Sequence, residues 1–161
     1  INIDCRDGSA VDLVADVGDL SFFENNSVDV IYACHVLEHF SRWDYKKVLK
    51  RWYEILKPDA TLRVAIPDFG AISEYYYKTR DLRAISGLLY GGQDYSENTH
   101  YWCWDFEELK KDLTEVGFRN IVRYDWRETE HSSVDDYSQS YLPHMDKRNG
   151  ILMSLNIECV K

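Results

Sequence analysis

The sequence has no long apolar run, no closely spaced cysteine pair and no excess of positive charge. No stretch approaches the roughly 18 to 20 apolar residues that span a bilayer. The first residues, INIDCRDGS, lack the basic segment followed by an apolar run that is typical of a secretory signal. We therefore expect a soluble protein without a membrane partner.

Positive charge is scarce: 19 Lys and Arg residues stand against 28 Asp and Glu residues, a net charge of −9. Affinity for nucleic acid rests largely on cationic contacts to phosphates, so we expect no nucleic-acid partner. The cysteines are far apart and form no C-x-x-C pair, which favours reduced thiols in the cytoplasm over a disulfide framework. They are Cys5, Cys34, Cys103 and Cys159.

The chain has the length and composition of one globular domain. With 161 residues, 45% of them hydrophobic, it can bury a sizeable core. We find no internal repeat or linker and predict a single domain over residues 1–161. Its first residue is Ile, which predicts a processed chain or an N-terminally truncated one.

Apolar runs and helical periods alternate along the chain, which predicts an α/β fold with a mostly parallel sheet. Each predicted strand is a short apolar run bounded by turn residues. The predicted strands are 1–4, 11–15, 28–33, 61–66, 118–126 and 151–160. Helices are predicted after a capping box at 41–44, near 71–78 and after Asp105, with a loop and short helix over 87–104 and a long excursion over 127–149.

The segment HVLEH, residues 35–39, matches the H-x-x-E-H pattern of inverted zinc proteases. Such an enzyme needs both histidines on one helix face, whereas here the apolar run VDVIYA leads directly into the motif as a strand. Because three fixed positions carry little information, we keep a zinc hydrolase as an alternative and expect no metal site.

A longer pattern includes the same segment. FFENNSVDVIYACHVLEHF, followed by WYEILKPDATLRVAIPDF, resembles the class I S-adenosylmethionine-dependent methyltransferases of the type 11-like group. In that family the corresponding stretch contains L-E-H and then L-K-P-G-G. The resemblance runs in order and spacing over residues 11–69, and it implies a Rossmann-like fold closed by a C-terminal antiparallel strand.

The resemblance also implies a cofactor, S-adenosylmethionine, and a set of residues that contact it. Asp4 matches the acid that holds the ribose hydroxyls. Asp16 and Val17 match the residues beside the adenine. Ala33, Cys34 and His35 match the strand end that faces the methionine part. As an alternative, Asp4 and Asp16 are ordinary turn or cap residues.

The sequence departs from the family pattern in two places. Lys57-Pro58-Asp59-Ala60 replaces K-P-G-G, and we expect Asp59 to tolerate the left-handed conformation. The G-x-G-x-G loop and the strand before it have no counterpart. We therefore predict that the first strand is missing, that the cofactor binds below full strength, and that the exposed sheet edge makes a homodimer.

Methyl transfer needs an acceptor held near the methyl group and often a base. We predict His35 or His131 as the base, with Tyr101, Asp125 and Arg127 as substrate contacts. Residues 98–106 and 135–146 would cover a small polar acceptor, unless their aromatic residues simply pack the core. A further alternative is a non-enzymatic binding module of the same fold whose missing strand comes from another chain.

Overall fold

The computed structural model describes all 161 residues and contains a four-stranded central sheet. Its strand order is β3-β4-β8-β5. β4 is parallel to β3, and β8 runs antiparallel to both β4 and β5. The predicted parallel sheet with a C-terminal antiparallel strand is confirmed. The strands are β3 (Val28–Cys34), β4 (Leu56–Pro67), β5 (Arg119–Arg123) and β8 (Ser154–Val160).

Two short strands lie apart from this sheet. β1 (Ile3–Asp4) pairs in parallel with β2 (Leu13–Val14), and neither is hydrogen-bonded to β3. β3 therefore has β4 on one side and no strand on the other. This vacant position between β1 and β3 is where the resemblance places the first strand of the family, so the predicted absence of that strand is confirmed.

Four α-helices pack around the sheet. They are α1 (Tyr45–Ile55), α2 (Phe69–Thr79), α3 (Leu82–Tyr90) and α4 (Phe106–Val116). The apolar stripe of α1 is buried, as its helical spacing predicts. At α4, the Asp105 side chain accepts from the Glu108 backbone N–H, and Gly117 ends the helix at φ +122°. None of the helices is long and apolar enough to cross a membrane.

Several boundaries differ from the prediction. The capping box at 41–44 does not form: Ser41 donates to the Asp44 carboxylate, and Asp44, which immediately precedes α1, makes no side-chain cap bond. The region 87–104, predicted as a loop and short helix, begins inside α3. Its glycines interrupt the apolar spacing from which a helix would have been predicted. β4 starts before the predicted strand because Leu56 already pairs with Val28 of β3. The irregularity between this pair and the Val30–Thr61 pair contains Asp59, which adopts φ 65°, as expected.

The C-terminal part holds two more strands. The predicted strand 151–160 is broken after β7 (Ile151–Leu152), because the Met153 N–H donates to Ser140 of the excursion instead of the sheet. β7 pairs with β6 (Tyr141–Leu142) in the excursion. The main core joins α1, α4 and the central sheet in a cluster of 20 buried residues.

Candidate functional site

A cavity of about 920 Å³ opens at the carboxyl ends of β1 and β3. Asp4 from β1 and Cys34 and His35 from the end of β3 contribute to its wall. The carboxyl ends of neighbouring strands are the usual ligand position in open α/β sheets. His39, from the turn after β3, also lines the cavity. The remaining wall comes from α3, the loop after it and the long excursion, and includes Leu88, Tyr95, Asn98, His100, Asp135, Asp136, Tyr137, Ser140 and His144.

The chain turns sharply where β3 enters the cavity. His35 adopts φ 52°, and a single turn of 3₁₀ helix, Leu37–His39, follows it. His35 Nδ1 then lies 3.1 Å from Glu38 Oε1. Burial raises the pKa of the Glu38 carboxyl, but the neighbouring His35 charge outweighs this effect and holds that pKa below its ordinary value. Glu38 is therefore a buried carboxylate held behind the cavity wall.

The loop after α3 is bonded directly to this turn. The Tyr101 backbone N–H donates to the Glu38 carbonyl at 2.8 Å. His39 Nδ1 lies 3.2 Å from the Thr99 carbonyl, a residue 60 positions further along the chain. These contacts place His100 against His39, with ring centroids 4.8 Å apart. Burial lowers the pKa of His100, which favours its neutral form.

The long excursion is anchored to β3 through buried polar groups. Tyr32 donates to the Asp136 carboxylate at 2.6 Å, and burial together with that carboxylate raises the pKa of Tyr32. Asn156 of β8 donates to the Ser138 carbonyl at 2.9 Å. Burial raises the pKa of Cys34 to about 12, so its thiol is protonated at neutral pH. Cys34 therefore contributes a neutral thiol to the cavity wall.

Sequence and structure comparisons agree on the fold. Residues 4–64 match the family described as "Methyltransferase domain". No curated protein matches the chain. A SAM-dependent methyltransferase from Archaeoglobus fulgidus superposes with a TM-score of 0.60 at 13% identity, over 99% of this chain and 74% of that one.

Two further solved structures give the same result. Burkholderia thailandensis 1,6-didemethyltoxoflavin-N1-methyltransferase, solved with its substrate and S-adenosylhomocysteine, has a TM-score of 0.58 at 15% identity, over 99% of this chain and 59% of that one. A SAM-dependent methyltransferase from Thermotoga maritima has a TM-score of 0.54 at 18% identity, over 94% of this chain and 64% of that one. The chain thus spans less than two thirds of these last two proteins.

The chain has the class I methyltransferase fold. The resemblance predicted from the sequence is confirmed, both in the matched residues and in the order of the strands.

Within this methyltransferase fold, the predicted cofactor residues fall into two groups. Asp4, Cys34 and His35 share the large cavity, whereas Val17 and Ala33 line a second cavity of about 410 Å³ in the vacant position between β1 and β3. We call this second cavity the groove; 13 of its 16 lining residues are hydrophobic. Asp16 borders neither cavity; its Oδ1 accepts from the Gly18 N–H at 2.8 Å.

The predicted acceptor residues are only partly brought together. His131 does not reach the cavity: it stacks on Tyr32 with ring centroids 4.1 Å apart, and its Nε2 is buried without a partner. Arg127 binds Asp125 and the Tyr141 hydroxyl, and neither it nor Tyr101 lines the cavity. Of the two predicted bases, only His35 faces the cavity.

The two predicted covering segments have different positions. Most residues between 135 and 145 line the cavity, as do Asn98 and His100. Trp104 instead lies in the core, 1% exposed, and donates to the buried Asp112 at 3.0 Å. No local sequence pattern predicts His100 as a site residue, because its neighbours in space, Glu38 and His39, are far away along the chain.

Proposed function

We propose that this chain is an S-adenosylmethionine-dependent methyltransferase domain acting on a small polar acceptor. The observation that carries the proposal is the convergence of Asp4 with Cys34 and His35 on one cavity at the carboxyl ends of β1 and β3. The free thiols and the lack of a spanning helix accord with a cytoplasmic protein.

Among the residues predicted for the nucleoside half of the cofactor, Asp4 fits the ribose. Asp4 is exposed on the cavity; its Oδ1 accepts from the Arg6 N–H at 2.8 Å, which leaves Oδ2 to accept from ribose hydroxyls. Asp16 and Val17, the residues predicted beside the adenine, do not line this cavity. Cys34 and His35 would border the methionine part. When bound, the cofactor supplies an electrophilic methyl group.

The cavity wall suits a small polar acceptor. Asp135, Asp136, Asn98 and Ser140 supply hydrogen-bonding groups, and Tyr137 supplies an aromatic face. Tyr137 also packs against His35, with ring centroids 5.3 Å apart. We propose His35 as the residue next to the reacting atoms, held in orientation by Glu38.

Titration calorimetry with S-adenosylhomocysteine tests the proposal. We expect the intact chain to bind with one-to-one stoichiometry, and Asp4→Asn to bind about tenfold more weakly, because a hydrogen bond to a charged group contributes about 1.5–3 kcal/mol. Asn keeps the Oδ1 acceptor for Arg6, so the turn after β1 should persist. Asp7→Asn, an exposed acid outside both cavities, is the matched control. Equal affinity of all three proteins would contradict the assignment of Asp4.

A non-enzymatic assembly module of the same fold is the second candidate, and the groove is the observation that favours it. An apolar cavity beside an unpaired strand edge suits an added strand from another chain. Absence of any binding of S-adenosylhomocysteine, together with self-association through β3, would favour this function over methyl transfer.

A further inference from the structure

Three metal-ligating side chains meet at the wall of the large cavity. Glu38, His39 and His100 each offer a ligand atom, and these three atoms lie within 4.8 Å of one another. Zinc bonds to nitrogen and oxygen are about 2.0–2.2 Å long, so ligands of one ion lie up to about 4 Å apart. The ligand atoms therefore lie within about 1 Å of the separations found around one bound ion.

The hydrogen bonds of both histidines engage Nδ1 and leave Nε2 available as a ligand. His39 Nδ1 faces the Thr99 carbonyl at 3.2 Å, and His100 Nδ1 faces the Leu88 carbonyl at 2.9 Å. A carbonyl only accepts, so each Nδ1 carries the proton and each neutral ring keeps a lone pair on Nε2. Metal-bound histidines are characteristically oriented in this way by a carbonyl or carboxylate on the other nitrogen.

Glu38 supplies the second, independent indication of a ligand. Its side chain is 1% exposed. His35 Nδ1 lies 3.1 Å from Oε1, whereas Oε2 is buried without a partner. A buried carboxylate oxygen without a partner is costly, and a bound cation would supply one.

The backbone holds the three ligands in place before any ion binds. Glu38 and His39 lie in one turn of 3₁₀ helix, and its Glu38 carbonyl accepts from Tyr101, the residue after His100. On the other side the His100 N–H donates to the Tyr90 carbonyl at 3.2 Å. The loop is therefore fixed between the turn and the end of α3, with His100 facing His39.

We propose that Glu38, His39 and His100 bind one divalent transition-metal ion. Two imidazoles and a carboxylate suit zinc and its first-row neighbours better than calcium or magnesium, which prefer oxygen ligands. His39 and His100 line the cavity, so the open side of the ion faces it. Three protein ligands with one open position is the arrangement of a site that binds water or a ligand oxygen.

This site differs from the one that the motif HVLEH suggests. The pattern pairs His35 with His39 on one helix, but the structure places His35 at a strand end and recruits His100 in place of it. The proposed site differs from the expectation of no metal site that was drawn from the sequence. That expectation considered only the spacing within HVLEH, which carries no information about His100. It does not depend on methyl transfer.

The test is zinc binding by the intact chain after treatment with a chelator, measured by calorimetry and by elemental analysis. We expect one equivalent of zinc, and a Co²⁺ adduct whose visible absorption reports nitrogen and oxygen ligands. Glu38→Gln and His100→Gln should each weaken binding more than about 100-fold, because loss of an orienting partner alone costs about 10- to 100-fold.

The matched control is His144→Gln, an exposed histidine of the same cavity outside the cluster. It should bind zinc as the original chain does. Zinc should also raise the melting temperature of the original chain and of His144→Gln, but not of the two ligand variants, which separates lost binding from lost folding. Less than one equivalent of zinc, or equal affinities in all four proteins, would overturn the proposal.

Discussion

Replacement of Trp52 by alanine is expected to lower the free energy of unfolding by about 3–5 kcal/mol, the usual cost of truncating a buried tryptophan. Trp52 is 1% exposed at the centre of the α1 stripe and borders the groove. Domains are stable by about 5–15 kcal/mol, so this loss removes a large share of the total. Urea denaturation followed by circular dichroism measures it.

Trp43→Ala is the matched control, since Trp43 lies just before α1 and is 71% exposed. Its replacement should change the stability by no more than about 0.5 kcal/mol, as is usual for surface sites. Equal urea midpoints for the two variants would contradict the role of Trp52 as a core residue.

A conservative variant tests whether Trp52 supports Val17, a predicted cofactor residue. Trp52 Nε1–H donates to the Val17 carbonyl at 2.9 Å, which fixes the segment after β2 to helix α1. Trp52→Phe keeps an aromatic ring but removes this bond, at a cost of about 1 kcal/mol. We expect it to remain folded and to bind S-adenosylhomocysteine more weakly than the original chain does.

The fold was predictable from the sequence where apolar period and turn chemistry agree. The run that becomes β8 and the stripes of α1 and α4 are largely buried, as their spacing predicts, whereas β3 buries only Ala33. Gly117 and Asp59 take the backbone conformations expected of them. Predictions failed where long-range contacts determine the ends of an element. At Met153, a hydrogen bond to Ser140 interrupts an otherwise continuous strand.

The site was less predictable than the fold. Asp4, Cys34 and His35 were predicted through the family resemblance, and they converge because Asp4 and Cys34 end their strands, His35 follows β3, and the carboxyl ends of parallel strands meet at one edge. His100 and Glu38 meet through bonds between a turn and a distant loop, a contact that no local period encodes. His131 lies in a polar stretch like a site residue, yet its ring is used to pack Tyr32.

The edge of β3 has the features of a strand-pairing surface. His35 N–H donates to Ala65 of β4, and successive residues of a strand alternate in direction, so the backbone groups of Val30 and Tyr32 point away from β4. Both residues line the apolar groove. Unpaired edges of this kind associate with other strands unless a charge or a bulge protects them.

We therefore expect the chain to form a homodimer through β3, and Val30→Lys to raise its dissociation constant by about 100-fold, which is ~2.8 kcal/mol at 1.4 kcal/mol per tenfold change. The substitution places an ammonium group in the groove, where an added strand would have to desolvate it. Sedimentation velocity over a wide concentration range measures the change.

Val122→Lys is the matched control, because Val122 is 53% exposed against 50% for Val30 and lies on β5, at the opposite edge of the sheet. A dimer that only Val122→Lys dissociates would move the interface to β5, and a chain that remains monomeric would show that the groove alone does not drive association.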